Sequence, residues 1–355
     1  MNINPEYFAK AEREWSRQWN EMVNSFGEDK INQHISTLSS NPNLTIDFIN
    51  SHPDKEWYWG SISSNSNIIF EDVLRNPDKL WDWKTLSYNP NITIDHALKF
   101  PDNPWNWTCL TADKTVTIEH INKYPNKPWS LYSLPMNPNI TFEQLLKYPE
   151  TKTGWYFVSA NVNVTFEHVL QYPDKPWNWY MLSMSPNITM EHVLQYPDKP
   201  WNWIALSINP NITMEHLIKY PEIPWDLDNI HMNKNITFQN ILDNPRFGWD
   251  FYHISCHNNI TLKNILDYPQ FSWNWYQVSK NPNITFEHYN KYPDLPWDIE
   301  GLCRNPMREG KQVFIRNFVK AEIQKKHELI MSKKIMEQKK YINSDVFNII
   351  VEYLV

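Results

Sequence analysis

Ser185 to Ser207 reads S-P-N-I-T-M-E-H-V-L-Q-Y-P-D-K-P-W-N-W-I-A-L-S, and its local signals describe two short helices. Thr189 stands where a helix N-cap belongs, with Glu191 in the first turn, where a carboxylate meets exposed N–H groups and the positive end of the dipole. Ile188 and Val193 have the spacing of a hydrophobic staple. Pro197 ends this A helix after about two turns, because proline cannot extend the hydrogen-bond ladder. Asn202 is a second N-cap type, flanked by Trp201 and Leu206 at staple positions, and starts a B helix. Asn209, Pro210 and Asn211 then break the chain and lead into the next cap, Thr213.

The same unit recurs every 24 residues from about Leu38 to Leu302, with no insertion. Threonine holds the first cap in ten copies, Thr45 to Thr285, with Ile69 filling the gap. Proline ends the A helix in all eleven, Pro53 to Pro293. Seventeen of the 19 tryptophans fall in the column of Trp201 or the column of Trp203. A fixed period of this size means stacked units sharing one continuous core, since two-turn helices do not persist alone. The expected fold is all-α, a solenoid of eleven two-helix repeats over 38–303, forming an open rod or superhelix about 100 Å long if helices pack about 8–10 Å apart. A β-containing solenoid is the alternative, although the L-x-x-L-x-L strand pattern is absent.

Composition agrees with this pattern. Six glycines in 355 residues leave no room for the glycine-rich loops of nucleotide-binding enzymes, while 26 prolines and 42 asparagines supply the breaks and turns. Neither an apolar leader nor a run of about 20 apolar residues is present, so a soluble, intracellular protein is expected. Cys109, Cys256 and Cys303 are too few and too scattered for a disulfide framework. The net charge of −7 argues against nucleic acid as the main partner.

The ends differ from the middle. Within 1–37, Pro5 to Phe26 reads as a capping helix whose Trp15 and Trp19 cover the open end of the first unit. Within 304–355, Arg304 to Lys340 carries eleven Lys or Arg against four Glu, with Val313, Phe314, Phe318, Ile323 and Ile330 at roughly helical spacing. This predicts a long basic amphipathic helix, followed by a short apolar one in Tyr341 to Val355.

Candidate chemistry is sparse. His96, His120, His168, His192, His216 and His288 recur three residues after their caps and stand too far apart for one metal centre, so capping explains them. His253, Cys256 and His257 cluster locally but lack a fourth ligand. No catalytic residue, metal site or cofactor is assigned. Columns that vary between units point to binding instead. Tyr132, Tyr156, Tyr180, Tyr252 and Tyr276 form an aromatic stripe suited to a protein interface, or alternatively extend the core. A second column runs Lys55, Lys79, Asn103, Lys127, Thr151, Lys175 and Lys199, then turns apolar at Ile223, Phe247, Phe271 and Leu295. Such a switch calls for a cover, expected from Phe314 or Phe318 of the C-terminal helix in preference to a partner protein.

The unit N-P-N-I-T-x-E-H-x-L-x-Y-P-D-K-P-W-N-W-x-x-L-S, read almost whole in Asn161 to Ser207, resembles the Trp- and Asn-rich repeat proteins of mimivirus-type giant DNA viruses. The resemblance covers about residues 38 to 302, with departures at Thr115, Ile69 and the late loss of D-K. It implies a repeat protein without an assigned activity, located in a host cytoplasm or a virion. The segment I-N-S-D-V-F-N-I-I-V-E-Y-L near the C-terminus also looks like the first helix of an F-box, which would imply a ubiquitin-ligase adaptor. The expected function is a non-enzymatic protein–protein interaction scaffold. The alternatives are that adaptor and a nucleic-acid-associated protein acting through the basic helix.

Overall fold

A computed structural model of the chain describes residues 5–148, 154–227 and 229–341, with side chains through residue 332. Every regular element among them is helical. Eleven A helices run from Ile46–Ser51 to Phe286–Lys291. Twelve B elements run from Ile35–Ser39 to Ile299–Arg304; two of them, Leu134–Met136 and Ile230–Met232, are single 3₁₀ turns. The expected all-α solenoid is the observed fold.

Polar side chains fasten each unit to itself and to the next. Each Trp of the first column donates Nε1–H to a carbonyl five residues back, as Trp105 does to Phe100 at 2.8 Å and Trp201 to Tyr196 at 2.9 Å. That carbonyl ends the A helix, so the indole caps the helix and fixes the A-to-B corner. Seven B helices are capped by an Asp or Asn as expected; Asn178 Oδ1 accepts from Met181 N at 3.0 Å and Asp298 Oδ1 from Gly301 N at 2.7 Å. Between units, a buried B-helix hydroxyl accepts the backbone N–H of the following cap residue. Ser63 takes Asp82 N at 2.9 Å, Ser183 takes Asn202 N at 3.0 Å and Ser279 takes Asp298 N at 2.9 Å.

The asparagines of the N-P-N turns do more than turn the chain. Asn137 Nδ2 donates to the carbonyls of Thr111, Asp113 and Val116 in the preceding unit, at 3.1, 2.9 and 3.0 Å. Asn65, Asn89, Asn161, Asn209, Asn233, Asn281 and Asn305 repeat this pattern with two or three carbonyls each. The carboxamide is suited to this place because its NH₂ brings two donors to buried carbonyls of the preceding unit.

The ladder does not stop at the first unit. Asn41 has no preceding repeat, yet its Nδ2 donates to Cys303 O at 2.7 Å and Asn305 O at 3.0 Å, 262 and 264 residues away. Asn65 makes the corresponding bonds to Ser39 and Asn41, 26 and 24 residues away. Asn43 Nδ2 likewise reaches Pro306 O at 3.1 Å. The B helix Ile35–Ser39 therefore packs on Trp59–Ser63 on one side and on Ile299–Arg304 on the other. The array is a closed ring, and the expectation of an open rod is corrected. Each of twelve B elements turns the chain by about 30°, which brings the last onto the first.

The non-repeating helices seal the join. In the N-terminal helix, Pro5–Ser25, Trp15 and Trp19 are fully buried. Trp15 meets Phe286 of the last A helix at 4.5 Å between ring centroids, and Trp19 meets Phe48 of the first at 5.8 Å. They fill the gap where a twelfth A helix would stand and do not cover a free end. The C-terminal helix, Arg308–Tyr341, runs antiparallel along the N-terminal one, with Ile315 and Val319 against Tyr7 and Ala11 and an ion pair from Lys311 to Glu12 at 2.6 Å. Gly310 passes so close to the last A-helix cap that a Cβ there would fall 2.0 Å from Thr285 Cγ2. Arg304 belongs to the last B helix. Val313, Ile323 and Ile330, expected on the apolar side, are exposed, because the packed face is instead Phe314, Ile315, Phe318 and Val319.

Candidate functional site

Neighbouring B elements mostly touch backbone to backbone, whereas successive A helices are bridged by large rings such as Phe70 on His96 at 4.3 Å and Phe166 on His192 at 4.8 Å. The B layer is therefore the tighter, inner circle. Its buried side meets the A helices, so its exposed side faces the bore. Twelve elements about 8–10 Å apart put their axes on a circle roughly 30–40 Å across. Subtracting a helix diameter of about 10–12 Å leaves a bore on the order of 20 Å.

Along one arc the bore is largely apolar, although the sequence places Asp228 between Ile204 and Tyr252 in the tyrosine column. Tyr132, Tyr156, Tyr180 and Tyr252 present 39 to 59% of their surface to solvent, beside Ile204 in the same column. Tyr276 of the expected stripe is half-buried. One helical turn further, Met136 and Met232 are 51% and 56% exposed, as is Tyr88 on the adjoining arc. This second column escaped the sequence reading, although its four-residue offset from the tyrosines on one helix face was the available signal. The remaining arc carries Ser40, Gly60, Ser64, Lys84, Lys280 and Arg304.

The lysine-to-apolar column lies elsewhere and needs no cover. Lys127 and Lys175 sit over the Trp107 and Trp155 rings of the preceding unit at 5.7 and 5.8 Å. Phe271 takes the same place by stacking on Phe251 at 4.4 Å. Ile223, Phe247 and Leu295 are likewise partly buried on their own array. The switch at Ile223 exchanges a cation–π contact for apolar packing. Phe314 and Phe318 do not cover this column; they pack at the join, Phe314 against Trp15 and Phe286, and Phe318 against Phe314.

Histidine and cysteine are occupied with structure. Nδ1 of His96, His120, His168, His192, His216 and His288 accepts the N–H of its threonine cap at 3.0–3.2 Å. Burial holds His96 and His288 below the ordinary imidazole range. His253 Nδ1 pairs with Asp250 at 2.7 Å. Both ring nitrogens of His257 are engaged, with Asn233 O and Asn259 N. Burial raises the thiols of Cys109 and Cys256 and pushes Cys303 up to about 12, the direction opposite to an activated nucleophile. Among the described residues no group of three or more His, Cys, Asp or Glu could hold a metal ion, and no helix is long and apolar enough to cross a membrane. The F-box-like segment lies outside the described residues. Compared with protein-family models, curated proteins and solved structures, the chain matches none.

Proposed function

We propose that the chain is a non-enzymatic interaction scaffold whose bore clasps an apolar segment of a partner protein. One observation carries this reading: an arc of tyrosine, methionine and isoleucine side chains is exposed on the inner layer of the ring. Tyrosine offers a large contact area at low entropic cost, and methionine adapts to irregular apolar surfaces. The folding of the repeat gives no reason for these side chains, because the same column holds Gly60, Lys84 and Glu300 in other units. A bore on the order of 20 Å admits an α-helix about 10–12 Å wide.

Photo-crosslinking residues at Tyr156, at Tyr180 and at the outer position Glu191 provide the test, read by mass spectrometry in the native cell. The same partner recovered from both bore positions, absent from Glu191 and lost in a Tyr132→Ser/Tyr156→Ser/Tyr180→Ser chain that keeps its helical content, supports the scaffold. Equal recovery from Glu191, or no effect of the triple substitution, contradicts it.

A further inference from the structure

Where the two ends of the ring meet, the C-terminal helix crosses the N-P-N edge and leaves a groove of about 840 Å³. Its helix wall is one continuous face, since residues 308, 312, 315, 316, 319, 320 and 323 project within one sector at about 100° per residue. From 308 to 323 that wall is about 22 Å long, four helical turns. Ile323 and Phe8, 53% and 42% exposed, make its apolar floor, with Ile315 and Val319 largely buried beneath them at 9% and 6%. Arg308, Arg316 and Lys320 stand on the rim, exposed and without an ion-pair partner among the described residues, while the cation beside them, Lys311, is neutralised by Glu12. Three unpaired cations beside an apolar strip, on a chain of net charge −7, single this groove out.

We infer that this groove binds an acidic amphipathic helix of a partner protein, its apolar stripe on Phe8 and Ile323 along the ridge of the largely buried Ile315 and Val319, and its carboxylates on Arg316 and Lys320. The length and the i, i+4, i+8 ridge match a helix laid in a groove. Flanking cations set charge preference and encounter rate, and reversing them sets like charges against the partner's carboxylates. The opposite wall belongs to the other end of the ring, Pro42 and Asn43 of the first unit and Asn67 of the second, with Pro306 from the last. A helix bound there touches both ends, so binding favours the closed form and stabilises it by mass action. This site is separate from the bore and does not rest on it.

The test uses the full chain and a labelled designed peptide of about 18 residues, with leucines at i, i+3, i+4 and i+7 and glutamates on the flanks, followed by fluorescence anisotropy. Saturable, salt-weakened binding is expected, reduced at least about tenfold in Arg316→Glu/Lys320→Glu and unchanged in Lys325→Glu/Lys326→Glu, whose side chains lie beyond the groove. The peptide should also raise the unfolding temperature of the native chain and not of the groove variant. Absence of saturable binding, equal loss in both charge pairs, or equal binding of a scrambled peptide overturns the inference. So does capture of phosphatidylserine vesicles through Arg316 and Lys320 without peptide binding, which would assign the groove to a lipid surface.

Discussion

Asn41 and Asn305, 264 residues apart, are hydrogen-bonded at 3.0 Å, Nδ2 to carbonyl, in the register that joins any other unit to its predecessor. The join is therefore built like the interior of the array. Its residues lack the covalent chain that links other neighbours, so they bear on ring stability more directly than their equivalents elsewhere.

The ladder is incomplete at Asp113, whose Oδ1 accepts Thr115 N at 2.7 Å as the asparagines' Oδ1 atoms do, but whose carboxylate has no N–H to donate to the preceding unit. An amide at this place would bring donors to the preceding unit's carbonyls, as Asn137 does. Asp113→Asn is expected to stabilise the fold by about 1 kcal/mol, and Asn137→Ala to destabilise it by about 2–3 kcal/mol, in urea unfolding.

Acid should loosen the A helices. At the A helices Ile94–Lys99 and Phe286–Lys291 the Nδ1 of His96 and His288 accepts the cap N–H, and for these two the folded value lies below the unfolded one of about 6.5. Their contribution is therefore complete above about pH 6.5 and is lost as the pH falls toward the folded value. Asn240 and Asn264 already serve as non-titrating caps, accepting Thr237 N and Thr261 N at 2.9 Å. His96→Asn/His288→Asn should leave stability at pH 7.5 nearly unchanged and flatten its decline between pH 6.5 and 5, measured by urea midpoints. An undiminished decline would place the acid sensitivity elsewhere.

At the join, cysteine replaces the hydroxyl that spans units. Ser279 Oγ accepts Asp298 N, but the residue that would follow Cys303 around the ring is His34, whose N–H is already bonded to Lys30 O at 3.0 Å. A hydroxyl at 303 would find no donor there. Ser279→Ala is expected to cost about 1–2 kcal/mol, while Cys303→Ser gains nothing or loses a few tenths, by thermal unfolding.

What was legible in the sequence was whatever a single unit repeats: the threonine, asparagine and aspartate caps, the proline stops and the tryptophan columns, each read from residues within one unit. Irregular units follow from their own substitutions. The two 3₁₀ turns occur where Pro135 and His231 replace the serine that otherwise bonds to the next unit. Closure was not legible, because it depends on a small rotation summed over twelve units and no single unit states that angle. The tyrosine stripe could be found as a varying column, but its place on a bore required knowing which helix layer lies inside. The groove combines three remote segments and had no local signature beyond the charge of the C-terminal helix.

Ring closure is tested most directly by pulsed electron–electron distance measurement between spin labels, in a chain whose three cysteines are replaced by serine. Labels at Ser40 and Arg304 probe the join, and labels at Ser40 and Ser64 supply the reference, since both pairs occupy equivalent positions in adjacent units of a closed ring. Closure requires matching distance distributions for the two pairs. A Ser40–Arg304 distance several tens of Å longer, approaching the roughly 100 Å of an open stack of eleven units, would contradict it.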